Sequence, residues 1–450
     1  MTEPRSQESL TEIQQYRQQA AALLLYQSVF ASDIGQAFLA LLEALMVKDA
    51  ITAAQAYGQW FSALATRQQS WQQHLTQQIL LADNAFSQQA QTLPTPAIST
   101  PVSKDQLTKH IPPAILSAVN HDLKIIKSFY QLPADQLSQW LQTHCGITVP
   151  PALPFDLSPS PSPSWWLSIA EATTTLATHY RAHGVGTFGQ FTAFRWQSNP
   201  DNADGQLIGI PTPDPINLSQ LVAYDHPKQQ LIQNTESLLQ GYTAQNVLLY
   251  GSRGAGKSSL VKALLNEYHT QGLRLIEVPK AHLHNLPQII GPLSRVPQKF
   301  IIFVDDLSFE EDDEAFKALK VVLEGGVTAR PQNVVVYATS NRRHLIREFF
   351  DERPKPKDAD EIQAWDTVQE KLSFSDRFGL TLTFTPADQP TYLTIVHELA
   401  AQANIQLDPD NLDWRARQWA TRHNGRSGRT ARQFVDFLIA EQGFKRETDD

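Results

Sequence analysis

"VLLYGSRGAGKSSL", Val247 to Leu260, is the stretch that decides the fold. An apolar run ends in Gly251, two further glycines follow at 254 and 256, and then come Lys257 and two serines. Strand, glycine turn and helix start in this order fit GxxxxGK[ST]. In that motif the glycines let backbone N–H groups turn inward around a phosphate, and the helix N-terminus adds partial positive charge. Gly251, Ser252, Arg253, Gly254, Ala255, Gly256, Lys257, Ser258 and Ser259 are the expected phosphate-binding residues. Lys257 can reach β- and γ-phosphates, and the Ser258 hydroxyl can ligate Mg2+. The competing reading is a glycine-rich turn with no ligand, and the strand-to-helix context speaks against it.

Working outward, "LRLIEV", "FIIFVD" and "VVVYATS" are short aliphatic runs nearly free of charge in their middles. Such runs suit central strands of a parallel sheet covered on both faces. Phe300–Val304 ends in Asp305-Asp306. Asp305, at the carboxyl end of a strand, can hold the Mg2+ shell, and Asp306 is placed to orient and deprotonate an attacking water. The alternative for Asp306 is a solvated strand-end acid. The next acids, chiefly Glu310 and Glu311, read as an exposed helix start. Asn341 follows a strand expected to neighbour the phosphate-loop strand; a neutral amide there can position water without adding charge. An ordinary turn asparagine is the alternative.

The remainder of the chain bounds these readings. Residues 5–92 hold 18 glutamines and little Gly or Pro, and Tyr57, Phe61, Leu64, Trp71, Leu75 and Ile79 recur at helical spacing. This predicts an all-helical region over 1–92, either a bundle burying its own stripes or a docking surface for a partner. Between 93 and 216 lie 16 of the 28 prolines, so 93–217 reads as Pro-rich linkers ("TLPTPAISTPVS", "LSPSPSPS") around a small loop-rich lead-in. Within it, Leu116–Leu141 and Trp165–Tyr180 are helical in pattern, and "GTFGQFTAFRWQ" reads as strand with turns. Residues 218–385 form the α/β domain and 386–443 a small helical domain.

A net charge of −9 argues against a globally basic nucleic-acid binder. The most apolar region, Ala20–Val47, is interrupted by polar and acidic residues, so no membrane span is expected. The amino-terminal stretch shows no basic segment leading into an apolar core. A single cysteine, Cys145, rules out an intramolecular disulfide framework and fits a cytoplasmic protein.

The succession of phosphate loop, acidic strand end, polar strand end, "SDRFG" and a lid with "GRSGRTARQF" resembles the AAA+ ATPases. More closely, "LRLIEVPK", "FVDDLSFE", "LKVVLEGG", "YATSNRRHL" and "EKLSFSDRFGLTLTF" look like the bacterial family catalogued as domain of unknown function 815. The resemblance covers about 218–437. It implies an AAA+ P-loop parallel-sheet domain with a C-terminal helical lid, here preceded by the all-helical region, and it implies ATP and Mg2+ as cofactors. Lys257 and Ser258 would hold nucleotide and metal, with Asp305 and Asp306 as the second acidic motif and Asn341 as the first sensor. Arg377 would enter a neighbouring subunit's site, which makes a homo-oligomer the expected form. An internal salt bridge to Asp376 or Glu370 is the alternative for that arginine. Arg429 would contact the bound nucleotide's phosphates, and Leu221 and Val222 would wall the adenine.

One departure matters: most AAA+ hydrolases carry Asp-Glu where this chain has Asp305-Asp306, so slow turnover is expected. Six lid arginines (Arg415, Arg417, Arg422, Arg426, Arg429, Arg432) read as a solvated or intersubunit face, with nucleic-acid contact as the less favoured alternative. His423 and His344 lack metal-ligand spacing. Two functions are compatible with these residues. One is an ATP-hydrolysing remodeller whose N-terminal helices recruit a protein client; the other is a nucleotide-gated adaptor with negligible turnover.

Overall fold

The computed structural model describes residues 3–94, 101–133, 135–151, 169–198, 205–308, 318–320, 322–323, 331–341, 377–423 and 425–449. The "LSPSPSPS" run, Glu310 and Glu311, the basic stretch 342–357 with His344, and Glu370 and Asp376 lie outside the described residues. The chain divides into two compact units, 1–190 and 191–450.

The first unit is helical among its described residues. Its helices start where short polar side chains can cap them: Ser32 accepts from Gly35 N, Asp49 from Ile51 N and Thr52 N, and Ser70 forms a capping box with Gln73. Of the expected stripe, Tyr57, Leu64, Trp71, Leu75 and Ile79 are buried, and Phe61 packs against them half-buried.

This core does not stop at 92. It continues through Leu107, Leu123, Phe129, Trp140, Leu176 and Tyr180. The helices Pro113–Tyr130, Gln136–Cys145 and Ile169–His183 therefore belong with the bundle and not with a separate lead-in. Polar ties run across the expected division. The Asp122 carboxylate, fully buried, accepts from the backbone N–H groups of Leu24, Leu25 and Tyr26 at 2.7–3.1 Å. Trp71 Nε1 donates to Phe129 O at 3.0 Å, and Tyr180 Oη donates to Ile79 O. Hydrogen bonds to a charged group contribute about 1.5–3 kcal/mol each, so Asp122 holds the break after the first helix firmly against the helix Pro113–Tyr130. Prolines mark the turns, but the amphipathic faces between them decide which core those helices join.

Among its described residues, the second unit is built on a seven-stranded sheet. Its strands are β1 (Ala193–Ser198), β2 (Gly205–Ile210), β3 (Val247–Gly251), β4 (Leu273–Glu277), β5 (Lys299–Val304), β6 (Val334–Ser340) and β7 (Leu380–Phe384). Their order is β2-β1-β4-β5-β6-β3-β7. Every pairing is parallel except the antiparallel hairpin β1–β2. Its first strand, read as part of the lead-in, extends the sheet beyond β4 instead, and β2, which the sequence reading did not single out, adds the edge. The apolar runs read as central strands are buried along nearly their whole length, β6 completely.

From β3 the chain crosses to β4 and then steps back through β5 and β6, so that β6 pairs with β3. The carboxyl ends of β3, β5 and β6 are thereby gathered beside the point where the strand order reverses, where open parallel sheets place their ligands. The helices Gln389–Gln402, Pro409–Arg422 and Gly428–Asp449 follow. They close around Tyr392, Ile395, Val396, Leu412, Phe434 and Leu438. The expected architecture of an all-helical region, a parallel-sheet α/β domain and a helical lid is the one found. No helix among the described residues is long and apolar enough to cross a membrane.

Candidate functional site

The turn after β3 has the backbone that its glycines foretell. Gly251 has φ 138°, and a Cβ there would lie 1.9 Å from Phe384 O, at the end of β7, so no other residue fits. Ser252 N donates to the same carbonyl at 2.9 Å, which ties the start of the loop to β7. Gly254 has φ 76°, and a side chain there would meet Ser427 Oγ, just before the last lid helix. The helix Lys257–Tyr268 begins from Gly256 with no side-chain cap. Its first-turn N–H groups are thus left as donors facing the loop, which is the usual make-up of an anion site.

Lys257, only 7% exposed, is turned inward. Its Nζ donates to Gly251 O at 2.9 Å, Ser252 O at 2.8 Å and Asn341 Oδ1 at 3.3 Å. Burial lowers its pKa, while the Asp305 and Asp306 carboxylates oppose that shift and Arg253 adds to it. Across the loop, Ser258 Oγ donates to Asp305 Oδ1 at 2.6 Å. Asp306 stands in the left-handed region with φ 52°, a conformation that aspartate adopts more readily than most residues. Its carboxylate accepts from Asn341 Nδ2 at 2.6 Å. The Asn341 amide therefore bridges Lys257 and Asp306, and Lys257, Ser258, Asp305, Asp306 and Asn341 form one connected group.

A cavity of ≈ 630 Å³ opens above this group, between the sheet and the lid. That is the size of a small-molecule site. Of the residues singled out from the sequence, Leu221, Val222, Arg253 through Ser259, Asp305, Asp306, Asn341 and Arg429 line it. Gly251 and Ser252 give their carbonyls to Lys257 from beneath. One end of the cavity is apolar, with Ile216, Leu221, Val222, Ile395 and Leu399. The segment before it is held by Lys228 Nζ, which donates to Leu218 O and Leu221 O. From the lid, Arg429 N donates to Gly254 O at 3.2 Å, and Arg432 and Gln433 join the wall.

Arg377 is not among the lining residues. It precedes β7, and Leu380 pairs with Val247 at the far end of β3 from the loop. A rise of about 3.3 Å per residue sets Leu380 about 13 Å below the loop, and Arg377 precedes that residue in the chain.

Several residues went unnoticed in the sequence. Thr339 Oγ1 donates to Asp305 Oδ1 and accepts from Asp306 N at 2.9 Å. The signal for it was available, because residues two apart on a strand share a face and Thr339 stands two before Asn341. Lys228 and Gln433 carry no local signature, and Arg432, read from the sequence as part of a solvated or intersubunit face, lines the cavity instead. The lid arginines look different once paired: Arg415 meets Glu441 and Arg417 meets Asp413, two acids flanking the basic run. His423 stacks on Trp419 with centroids 4.1 Å apart, a structural role. No cluster of three metal-ligating side chains of the His, Cys, Asp or Glu type occurs among the described residues.

The donor set fits a nucleoside triphosphate with a hard divalent cation. Uncapped helix N–H groups and a buried lysine face where phosphates would lie, while a serine hydroxyl and a carboxylate converge as oxygen ligands.

The family model described as "Protein of unknown function (DUF815)" matches residues 189–442. The replication factor C large subunit of Staphylothermus marinus is 43% identical over 65 residues, 14% of this chain and 15% of that protein. The chain thus spans about one seventh of the length of that curated relative. Among solved structures, the RuvB Holliday junction branch migration motor of Thermotoga maritima aligns over 50% of this chain and 71% of its own, at 13% identity and a TM-score of 0.31.

Proposed function

The chain belongs to the family described as "Protein of unknown function (DUF815)"; from this premise we propose that its sheet and lid are those of an AAA+ protein and that it binds ATP with Mg2+ and hydrolyses it. The observation that carries the proposal is the convergence of Lys257, Ser258, Asp305, Asp306 and Asn341 from three strand ends on one cavity beneath the lid.

Each residue has a task that its position supports. Lys257 exchanges the carbonyls of Gly251 and Ser252 for β- and γ-phosphate oxygens. Ser258 and Asp305 hold the ion, which when bound offsets charge on those oxygens. Asp306 takes the proton of the attacking water, and Asn341 orients that water. Leu221 and Val222 cover the base, and Arg429 meets the phosphates from the lid side. Arg377, which does not line the cavity of its own chain, serves a neighbouring copy, so the working form is a homo-oligomer. The helical unit 1–190 engages a protein client, and the setting is cytoplasmic.

One observation favours a second reading. Asp306 is a methylene shorter than glutamate, and its carboxylate is already engaged by Asn341. Catalysis is sensitive to displacements of about 1 Å. On that reading the protein is a nucleotide-gated adaptor. Phosphate release by the purified protein with ATP and Mg2+ separates the two. Slow turnover that grows more than linearly with protein concentration is expected of the hydrolysing oligomer. Nucleotide binding without phosphate release at any concentration would assign the adaptor role.

A further inference from the structure

We infer that Thr339 is a positioning residue that locks Asp305 and Asp306 into one unit, setting the metal-holding carboxylate and the proton-accepting carboxylate relative to each other. This rests on the nucleotide reading of the site and adds to it a residue outside the phosphate loop and the acidic pair.

The hydrogen bonds allow a single assignment of roles. A threonine hydroxyl has one proton to give and lone pairs to accept with. Thr339 Oγ1 gives its proton to Asp305 Oδ1 and accepts the backbone N–H of Asp306 at 2.9 Å. That N–H also points at Asp305 Oδ1, at a longer 3.2 Å. One hydroxyl therefore joins the side chain of the first aspartate to the main chain of the second.

Thr339 is itself immobilised. It is 2% exposed, lies opposite Leu249 in the β3–β6 ladder, and its carbonyl accepts from Leu307 N at 2.7 Å. The Leu307 bond lies on the other side of Asp306, so β6 grips that residue on both flanks. Gripping is needed because Asp306 has φ 52°, away from the strand geometry of Val304 just before it.

The clamp also fixes direction. Asp305 Oδ1 is taken up by Thr339 and by Ser258 Oγ at 2.6 Å. Its orientation toward the Ser258 side of the loop is then set by two hydroxyls from different elements. With the Thr339 hydroxyl gone, Asp305 is held by Ser258 Oγ and the long bond from Asp306 N alone, and the Asp306 turn loses its nearest acceptor. Partners at one remove from a metal are typically worth about 10–100-fold in metal affinity or activity when removed.

The test measures Mg2+-dependent nucleotide affinity as well as turnover, using a fluorescent ATP analogue and the full chain. Thr339→Val keeps the buried volume and the branched strand shape while removing the hydroxyl. It is expected to bind the Mg2+-free analogue as the wild type does, and to lose about 10–100-fold of the Mg2+-dependent gain and of turnover. Thr339→Ser restores the hydroxyl and is expected to restore most of both. Thr339→Cys, with a weaker donor, takes the place of the valine variant if that variant does not fold, and an intermediate loss is expected.

A wild-type response to Mg2+ that survives unchanged in Thr339→Val would overturn the inference while leaving the nucleotide reading intact. A serine variant as impaired as the valine one, at unaltered melting temperature, would also overturn it, because the methyl group and not the hydroxyl would then matter. Failure of the wild-type protein to bind the analogue at all would overturn the nucleotide reading and this inference with it.

Discussion

Arg377→Ala is expected to abolish turnover while keeping near-native ATP affinity. A guanidinium supplied across a subunit boundary stabilises charge on the transferring phosphoryl group, an effect of about 10³–10⁵ in rate in comparable systems. The sheet register gives this expectation its geometry. Leu380 is opposite Val247, and Gly251 opposite Phe384, so the loop and Arg377 lie toward opposite ends of the same strand pair. Arg377 is not among the residues lining the cavity above Gly251. Among the described residues β7 is also an edge strand, which puts the segment leading into it at the rim of the sheet. Mixing Arg377→Ala with Lys257→Ala should restore some turnover if the smallest active unit is a dimer, because one subunit then offers an intact loop and the other an intact arginine. Wild-type specific activity that stays flat down to nanomolar protein, in a particle shown to be monomeric, would sink this assignment.

The second large effect is expected at Asp306. Asp306→Asn should keep ATP binding and reduce phosphate release by about 10²–10⁴-fold, the usual range for removing a positioned general base. The substitution is unusually clean here. The carbonyl oxygen of the new amide can still accept from Asn341 Nδ2, and the backbone N–H can still reach Thr339 Oγ1, so the turn at φ 52° keeps its supports. Asparagine also tolerates the left-handed region. What is lost is the charge that accepts the proton. A protein arrested with ATP bound would in addition be the form most suited to capturing a client through the helical unit. Equal phosphate release from the two proteins would remove Asp306 from catalysis.

Most of the candidate site was legible because its parts are local in sequence. The phosphate loop needs only a strand, three glycines and a helix start, all within Val247–Leu260. Asp305 and Asn341 were legible because each stands at the end of an apolar run whose burial forces it into the sheet. What could not be read depends on partners distant in the chain. Nothing near Asp122 shows that its carboxylate accepts the N–H groups of residues 24–26, nearly a hundred positions earlier. The true extent of the helical unit therefore went unseen, and the prolines around 93–101 looked like a domain boundary. Thr339 was legible in principle, two before Asn341 on the same strand, but β6 is buried from end to end and a polar residue inside it passes for ordinary strand composition until Asp305 is brought beside it. The acids that pair with Arg415 and Arg417 were missed because Asp413 and Glu441 flank the basic run instead of interrupting it.

The most direct test of the nucleotide site is the melting temperature of the wild-type protein and of Lys257→Ala, each with and without ATP and Mg2+. A ligand that binds only the folded state stabilises it by about 2.7 kcal/mol at a hundred times its dissociation constant. Lys257 donates to the carbonyls of Gly251 and Ser252, so the variant's own melting temperature is a separate quantity and the shift caused by ATP is the one that decides. The expected result is a clear ATP-dependent rise for the wild type and none for Lys257→Ala, with the same circular dichroism for both. An undiminished shift in the variant would contradict the assignment of Val247–Leu260 as the nucleotide-binding segment.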